Sequence, residues 1–285
     1  MPRVSVIIPT YNRAALVTEA VDSVLKQTWT DFEIIVVDDG SSDESEDVLG
    51  RYGDRIRCFR TGHEGPSRAR NLGAVRSCGQ FLAFLDSDDV WEPNKLDIQM
   101  GFLDAHREIK MVCCGSYNLG PSPKQRRSVR GDRWGDLFLM LFGKSFVNTS
   151  SVVVDRACFS EVGGFDETIR TAEDYDLWLR VARRFPMAYL DSPLVAIRKH
   201  ADELSKNKVE LRRNAIRVVE RHFDPHRIPA KIYRKRIADL HVYLGRGYLR
   251  LGDARKARLA FRKGMRLTPF RIRPMRYFLR SILVR

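Results

Sequence analysis

Three carboxylates stand within the motif Asp86-Ser87-Asp88-Asp89, directly after the apolar segment 80–85. Carboxylates crowded together repel one another, and a hard divalent cation such as Mg²⁺ or Mn²⁺ relieves that repulsion through oxygen ligands. Few protein ligands are needed where phosphate oxygens complete the coordination shell. The alternative is a turn and helix cap, which would use one or two of the aspartates. The local pattern favours a site for a metal ion and a diphosphate over this cap.

The segment that precedes these aspartates is one of four predicted strands, three of which are short apolar runs typical of buried parallel strands. Helical periodicity or helix-capping residues separate consecutive runs, and this alternation predicts an α/β domain with a doubly wound, mostly parallel sheet. The predicted strands cover residues 4–8, 33–37, 56–60 and 80–85, and the predicted helices cover residues 16–25, a short segment after residue 43, and residues 67–78.

Polar clusters follow three of these strands, at residues 10–13, 38–42 and 86–89. Sheets of this kind bind ligands beyond the carboxyl ends of their strands, and parallel strands end at one edge. We therefore expect the three clusters to share a site. The second cluster, which contains Asp38 and Asp39, is also ordinary turn sequence because Gly and Ser follow the two acids, so that cluster alone leaves both interpretations open.

The chain as a whole is long and apolar enough for a large folded domain and a smaller one, with 285 residues, 44% hydrophobic and 30% charged. The apolar run at the start of the sequence is interrupted too early for a secretory signal, and no stretch approaches the roughly 20 apolar residues of a membrane span. We expect a cytoplasmic protein. Five cysteines without a C-x-x-C pair favour buried thiols in a reducing compartment over disulfides or a zinc site.

Basic residues are concentrated at the end of the chain. Residues 206–285 contain 24 Lys and Arg against 5 Asp and Glu, a net charge of +19, whereas residues 1–205 carry a net charge of −5. This division predicts a first domain at 1–205 and a basic helical region at 206–285. Within the helical region, the pattern of small and aromatic residues between 244 and 269 resembles one tetratricopeptide-type hairpin. A hairpin packed on the first domain is favoured over a repeat-based recognition surface, because one repeat is too few for a solenoid.

Several further segments are predicted as elements of the first domain or its loops. They are a helix at 93–106, a strand at 111–117, a basic loop at 120–133, an apolar helix at 134–142, a short strand at 152–154, a turn at 163–165, an amphipathic helix at 175–185 and a last strand at 194–198.

Six motifs occur in an order that resembles the family 2 glycosyltransferases, and the resemblance covers about residues 3–205. Each motif alone is moderately specific, and six in register are highly specific. The resemblance implies a GT-A type, Rossmann-like catalytic domain that binds a nucleotide-activated sugar. The motifs are PTYNR at 9–13, VDDGSSD at 37–43, ARNLG at 69–73, FLDSDD at 84–89, GGFDE at 163–167 and EDYDLW at 173–178.

The resemblance also implies roles for individual residues in the donor site. Tyr11 would stack on the nucleotide base and Asp39 would accept a hydrogen bond from it. Arg70 would lie near the nucleotide or its diphosphate, where a forked cation is useful. Asp88, at the end of the D-x-D, would be the direct metal ligand. The remaining donor-site residues would be Pro9, Thr10, Arg13, Asp86 and Ser87, with Asp38 and Asp89 as supporting residues.

Glu173 and Asp174 form a second carboxylate pair. By the resemblance, Asp174 is the base that takes the proton of the acceptor hydroxyl, and Glu173 supports it. The pair would also stabilise the start of the helix at 175–185 through the helix dipole, which is compatible with catalysis. His200 lies where related enzymes often carry an R-x-H segment and is a second candidate metal ligand; the alternative is a surface histidine in a basic loop.

Together these features predict an inverting, Mn²⁺- or Mg²⁺-dependent transfer from a nucleotide-diphosphate sugar, with UDP-sugar favoured, to a glycan or lipid-linked acceptor in polysaccharide or cell-envelope synthesis. The alternatives are a sugar-phosphate nucleotidyltransferase and a catalytically silent nucleotide-sugar-binding protein. A dehydrogenase and a P-loop enzyme are disfavoured because their glycine-rich motifs are missing. The basic region is expected to bind anionic lipid at the cytoplasmic face of the inner membrane, in preference to nucleic acid, an acidic polymer or solvent alone.

Overall fold

The computed structural model describes residues 1–120, 126–127, 129–198, 206–269 and 275–279. The chain divides into two compact units. The first, called the sheet unit below, comprises Met1–Leu137 and Phe146–Lys199, and the second, called the helical unit, comprises Phe138–Ser145 and His200–Arg285.

One sheet, in the order β3-β2-β1-β4-β9-β6-β10-β5, organises the sheet unit. The neighbours β1, β2, β3 and β4 are parallel, as are β6 and β10, while β9 runs antiparallel to both of its neighbours. The predicted mostly parallel α/β sheet is confirmed. The strands are β1 (Val4–Thr10), β2 (Phe32–Asp38), β3 (Arg57–Arg60), β4 (Phe81–Phe84), β5 (Val90–Trp91), β6 (Met111–Leu119), β7 (Arg126–Arg127), β8 (Arg133–Gly135), β9 (Val153–Asp155) and β10 (Met187–Arg198).

Helices pack on this sheet through its apolar faces. Every residue of β1 is buried, as a central parallel strand requires. A Cβ atom on Gly73 would lie 2.5 Å from Ile7 Cγ2, so the absence of a side chain lets the third helix approach β1 closely. The helices up to residue 184 are α1 (Ala14–Leu25), α2 (Ser45–Gly50), α3 (Pro66–Arg76), α4 (Lys95–Ala105), α5 (Phe138–Gly143), α6 (Arg156–Glu161) and α7 (Glu173–Arg184), of which α5 belongs to the helical unit.

Several segments differ from the sequence prediction: β7 lies within the predicted basic loop at 120–133, and β5 and α6 were not predicted. The apolar helix predicted at 134–142 is shorter and consists of α5 alone. Arg133–Gly135 instead forms a strand that pairs with β10, and this strand ends at Gly135, which has a positive φ of 104°. The last strand begins at Met187 rather than at residue 194. Its register shifts around Pro193, which has no N–H to donate, and the strand continues through this irregularity.

The helical unit contains three long helices besides α5, namely α8 (Lys206–Arg221), α9 (Ala230–Arg250) and α10 (Ala254–Leu267). Gly252, with a φ of 76°, turns the chain between α9 and α10. A Cβ on Gly245 would lie 2.5 Å from the ring of Phe261, so this glycine lets the two helices pack closely. In the described ranges, no helix combines the length and apolarity needed to cross a lipid bilayer.

Candidate active site

The three polar clusters predicted to share a site do meet at the carboxyl-end edge of the sheet. The backbone N–H of Asp39 donates to Thr10 O at 2.8 Å, and the backbone N–H of Asn12 donates to Ser41 Oγ at 2.9 Å. Arg13, at the end of the first cluster, forms an ion pair with Asp88 of the third, with 2.9 Å between Nη1 and Oδ2. The ends of β1, β2 and β4 therefore contribute to one surface.

The two aspartates after β2 have different partners. Asp38 accepts hydrogen bonds from the backbone N–H of Ser41 at 3.0 Å and from its hydroxyl at 2.5 Å, which is the turn role considered for this cluster. Asp39 accepts from Thr61 Oγ1 at 2.6 Å and from the backbone N–H groups of Glu64 and Gly65, both at 2.7 Å. Asp39 thus fixes the loop at residues 61–65, called the base loop below.

An aromatic pair lies between the first cluster and the base loop. Tyr11 is 40% exposed, and its ring centroid lies 4.1 Å from that of His63, at an interplanar angle of 35°. His63 has a positive φ of 63°, which is uncommon for a residue with a side chain. Two adjoining rings on an open surface give a platform of the kind on which a nucleobase stacks.

Thr10, the last residue of β1, follows Pro9 in the buried strand and is 3% exposed. Its Oγ1 atom is buried and has no hydrogen-bond partner among the residues that the structure describes. A buried hydroxyl without a partner is costly, so this atom is a candidate for a ligand contact at the sheet edge.

The motif after β4 divides into outward and inward members. Asp86 pairs with Arg70 and retains 31% side-chain exposure, whereas Asp88 pairs with Arg13 and retains 13%. Ser87 is buried. Asp89 points into the protein, where it accepts from Ser150 Oγ at 2.6 Å and from the backbone N–H of Arg198 at 3.2 Å.

Burial raises the pKa of Asp89 to about 8, with the charge of Asp86 as the next cause. The hydrogen bonds that Asp89 accepts from Ser150 and Arg198 act in the opposite direction. Asp89 therefore holds together the motif, the turn at Thr149–Ser151 and the end of β10.

The donor set at the sheet edge suits a hard divalent cation with help from non-protein oxygens. Asp86 and Asp88 offer carboxylate oxygens. Each carboxylate is paired with an arginine, and a bound metal ion would either displace that arginine or share the carboxylate with it. Within the described ranges no group of three or more His, Cys, Asp and Glu residues could hold a metal. Phosphate oxygens or water would therefore have to complete the shell. His200, the other predicted metal ligand, lies outside the described residues.

Arg70 connects the motif to the second carboxylate pair. The residue is 5% exposed, and its guanidinium lies 2.6 Å from Asp86 Oδ1 through Nη2 and 3.1 Å from Glu173 Oε1 through Nη1. Burial acts to lower the pKa of Arg70, but the charges of Asp86 and Glu173 outweigh burial and raise it. The buried Nε atom has no partner among the described residues. One donor of this fork thus remains for a further acceptor.

Three acids begin α7, and each has a different environment. Glu173 pairs with Arg70, and the fully buried Asp176 pairs with Arg180 at 2.9 Å. Asp174 accepts a hydrogen bond from the backbone N–H of Tyr175 at 2.7 Å and keeps partial exposure to solvent. Burial, and then the charge of Glu173, raise the pKa of Asp174 to about 7. A carboxylate with such a pKa is suited to accept a proton near neutral pH.

Sequence reasoning missed three residues of this site: His63, Ser150 and Arg198. Ser150 accepts from the backbone N–H of Asp86 at 3.1 Å and donates to Asp89, and Arg198 donates its Nε–H to Asp88 O at 3.3 Å. The only local signal for Ser150 is the run of small polar residues at 148–151, which is typical of a turn.

The family of the chain follows from comparison with known proteins. A sequence model described as "Glycosyl transferase family 2" matches residues 5–159, and one described as "Glycosyltransferase like family 2" matches residues 124–237. The chain belongs to glycosyltransferase family 2. The family resemblance predicted from the six motifs is confirmed.

Among similar proteins, an uncharacterized glycosyltransferase of Rickettsia felis is 35% identical over 213 residues, which are 72% of this chain and 35% of that protein. The chain spans about a third of the length of the first curated relatives that it matches.

Two solved structures share the fold. S. aureus TarS 1–349 has a TM-score of 0.70 and 18% identity, with 98% of this chain and 88% of that chain covered. The mannosyltransferase PcManGT of Pyrobaculum calidifontis, in complex with GDP-Man and Mn²⁺, has a TM-score of 0.64 and 17% identity, with 99% and 86% covered. TarS has also been solved with UDP-GlcNAc. The predicted GT-A fold is confirmed.

Proposed function

We propose that the protein transfers a sugar from a nucleotide-diphosphate sugar, with a UDP-sugar favoured, to an acceptor hydroxyl with inversion at the anomeric carbon. The observation that carries this proposal is the position of Arg70, which bridges Asp86 of the donor motif and Glu173 beside Asp174. Through this bridge, the groups suited to hold a diphosphate and the group suited to take a proton belong to one connected site.

In this proposal the base, ribose and diphosphate of the donor lie along the sheet edge. Tyr11 and His63 stack on the base, and Thr10 and Asp39 contact its polar edge. Arg13 and Arg70 face the diphosphate, because their charges are held there by Asp88 and Asp86. A UDP-sugar is the favoured donor, and the solved structures with UDP-GlcNAc and with GDP-Man fit nucleotide-sugar binding in general.

Asp86 and Asp88 would hold a Mn²⁺ or Mg²⁺ ion, which, when bound, offsets negative charge on the leaving diphosphate. Arg70 and Arg13 add positive charge at the same place. Asp174 accepts the proton of the acceptor hydroxyl as that oxygen attacks the anomeric carbon from the face opposite the diphosphate. Glu173, held by Arg70, keeps the start of α7 and therefore Asp174 in position. No covalent enzyme intermediate is required, and a single displacement inverts the configuration.

Turnover of a donor panel tests the proposal. UDP-, GDP- and dTDP-sugars are incubated with the protein, with and without Mn²⁺, and release of the nucleoside diphosphate is measured. We expect metal-dependent release that Asp88→Asn abolishes and that Asp97→Asn, which changes an exposed acid on α4, leaves intact. Nucleotide binding without any release would favour the silent binding protein, and pyrophosphate release from a nucleoside triphosphate and a sugar phosphate would favour the nucleotidyltransferase. NMR of the product's anomeric proton tests inversion.

For the acceptor, we propose a glycan or a lipid-linked sugar of polysaccharide or cell-envelope synthesis, reached at an anionic membrane surface. The support is the net charge of +19 in residues 206–285, since clustered Lys and Arg attract anionic lipid. Sedimentation of the full chain with vesicles tests this placement. We expect pelleting with phosphatidylglycerol vesicles that 0.5 M NaCl reverses, and none with phosphatidylcholine vesicles; equal pelleting with both lipids would contradict it.

A further inference from the structure

The helical unit contains a groove that the proposed transfer reaction does not use. It has a volume of about 430 Å³ and lies among α8, α9 and α10. Its surface is divided between apolar and cationic side chains. Ile216 and Leu244 are buried in its floor, and Leu259 is 52% exposed within it. An exposed leucine beside a buried apolar floor offers contact to an apolar group.

Cations surround this apolar part. Arg213 and Arg217 come from α8, and Lys256 and Lys263 come from α10. Among the described residues that line the groove, Glu220 is the one acid. Like charges gathered around a concave surface raise the local potential, so this groove attracts an anion more strongly than separate surface cations would.

The four cationic side chains differ in the hydrogen bonds and ion pairs that they form. Arg213 donates to Tyr248 Oη at 2.9 Å, and Lys256 forms an ion pair with Asp253 at 2.7 Å. Within the described ranges, Arg217 donates a hydrogen bond to the amide oxygen of Asn214, at 3.2 Å, and neither Arg217 nor Lys263 forms an ion pair with a carboxylate. Two cations on opposite helices of the groove thus have charge available for a ligand.

His241 of α9 lies between these helices. Its Nδ1 atom is buried and has no hydrogen-bond partner among the described residues. Burial, and then the charge of Lys263, lower the pKa of His241 to about 4, so the imidazole is neutral near pH 7. A buried nitrogen without a partner beside an uncompensated lysine marks a place where an anionic oxygen would satisfy both groups.

We infer that this groove binds a phosphate group carried by an amphiphile, with the phosphate at Arg217, Lys263 and His241 and the apolar chain against Ile216, Leu244 and Leu259. The ligand class is a lipid phosphate, because a free phosphate would leave the exposed leucine and the apolar floor without a partner. The groove is formed by residues of the helical unit and the proposed donor site by residues of the sheet unit, and the inference does not depend on the sugar or the nucleotide.

NMR of the histidine rings in the full chain tests the inference, with His241→Gln used to assign the His241 signal. Dihexanoyl phosphatidic acid is added below its micelle-forming concentration, with inorganic phosphate and dihexanoyl phosphatidylcholine as comparison ligands. We expect phosphatidic acid to shift the His241 signal and to raise the titration midpoint of that ring, because a bound anion offsets the charge of Lys263. The phosphatidylcholine should bind at least about tenfold more weakly than phosphatidic acid, because its choline cation offsets the charge of its phosphate. Inorganic phosphate should also bind at least about tenfold more weakly, because it buries no apolar surface.

Variants complete the test. Lys263→Gln should weaken phosphatidic acid binding about tenfold, since it removes one charge-assisted hydrogen bond. Arg255→Gln, which changes an exposed cation on the same helix outside the groove, should not. An unshifted His241 signal, equal losses in the two variants, or inorganic phosphate binding as tightly as the lipid would each overturn the inference. Unchanged circular dichroism of both variants establishes that neither result reflects unfolding.

Discussion

Arg13 Nη1 lies 2.9 Å from Asp88 Oδ2, so the predicted metal ligand is already paired with a cation of the neighbouring strand end. A divalent ion at Asp88 must therefore compete with a guanidinium or share the carboxylate with it. The same arginine is also a proposed contact of the diphosphate. Arg13 is thus expected to weaken metal binding in the absence of donor and to strengthen donor binding.

Replacing Arg13 with glutamine should separate these two effects. Without donor, the Kd for Mn²⁺ should fall by about tenfold, because one neighbouring positive charge is removed. The KM for the donor should rise, because a cation facing the diphosphate is lost. Calorimetric titration with Mn²⁺ and steady-state kinetics measure the two quantities. Arg57→Gln, which breaks a 2.9 Å ion pair with Glu33 elsewhere on the sheet unit, is the control. An unchanged Mn²⁺ affinity in Arg13→Gln would show that the pair does not compete with metal.

The pH dependence of turnover should report the titration of Asp174. Its pKa is raised to about 7, and a base acts only when deprotonated, so kcat should rise with pH below about 7 and level off above it. Metal bound nearby would move this midpoint down, because a cation favours the carboxylate. Asp174→Asn keeps the shape of the side chain and should reduce kcat by about 10²- to 10⁴-fold. A pH profile of the residual activity that retains the same midpoint would assign the titration to another group.

Because Arg70 pairs with two acids through separate nitrogens, we predict that another residue with the same positive charge cannot take its place. Arg70→Lys keeps one positive charge but cannot contact Asp86 and Glu173 through separate nitrogens. We expect a loss of kcat/KM of about 100-fold or more and a loss of about 2–4 kcal/mol in the free energy of unfolding, since one buried acid loses its partner. Denaturant unfolding and initial rates measure these effects. Arg68→Lys, two residues earlier on α3 and in the exposed pair with Glu167, should change both quantities little.

How much of this site could be predicted from sequence depends on where each residue stands relative to the strands. Tyr11, Asp39 and Asp88 follow apolar runs, and parallel strands require that their ends meet, so their proximity was predictable. The inward orientation of Asp89 was not predictable, because it depends on a turn at Ser150 and on the backbone of Arg198, which are both far away along the chain.

The base loop shows the same limit. Residues 61–65 have turn-like composition but no periodicity that assigns them to the sheet edge. They are held there by Asp39, whose side chain binds Thr61, Glu64 and Gly65. The contact of His63 with Tyr11 follows from this arrangement, so it became visible only with the three-dimensional structure.

His63 should therefore matter for donor binding. Removing its ring in His63→Ala takes away half of the aromatic platform and should weaken UDP binding by up to about tenfold, with kcat at saturating donor little changed. Calorimetric titration with UDP measures this. The control is His106→Ala, because His106 also packs against an aromatic ring, that of Phe102, at 4.4 Å and at the end of α4. Equal UDP affinities for the two variants would remove His63 from the donor site.

Ser150 offers a stability test of the network beneath the donor motif. Its hydroxyl accepts from the backbone N–H of Asp86 and donates to Asp89, whose pKa in the folded protein is raised from 3.8 to about 8. Because the folded state holds the proton of Asp89 more tightly than the unfolded state, the contribution of Asp89 to stability falls as pH rises from about 4 to about 8. The hydroxyl opposes this loss, since it binds the charged carboxylate best.

Ser150→Ala should therefore cost more stability at high pH than at low pH. The loss in the free energy of unfolding should be about 1 kcal/mol near pH 5, where Asp89 is protonated, and about 2–3 kcal/mol near pH 8.5, where its charge loses a donor. Denaturant unfolding in EDTA at both pH values measures the difference without bound metal. Ser160→Ala, an exposed position on α6, should show no loss at either pH. A pH-independent loss in Ser150→Ala would mean that its hydroxyl supports the turn and not the charge of Asp89.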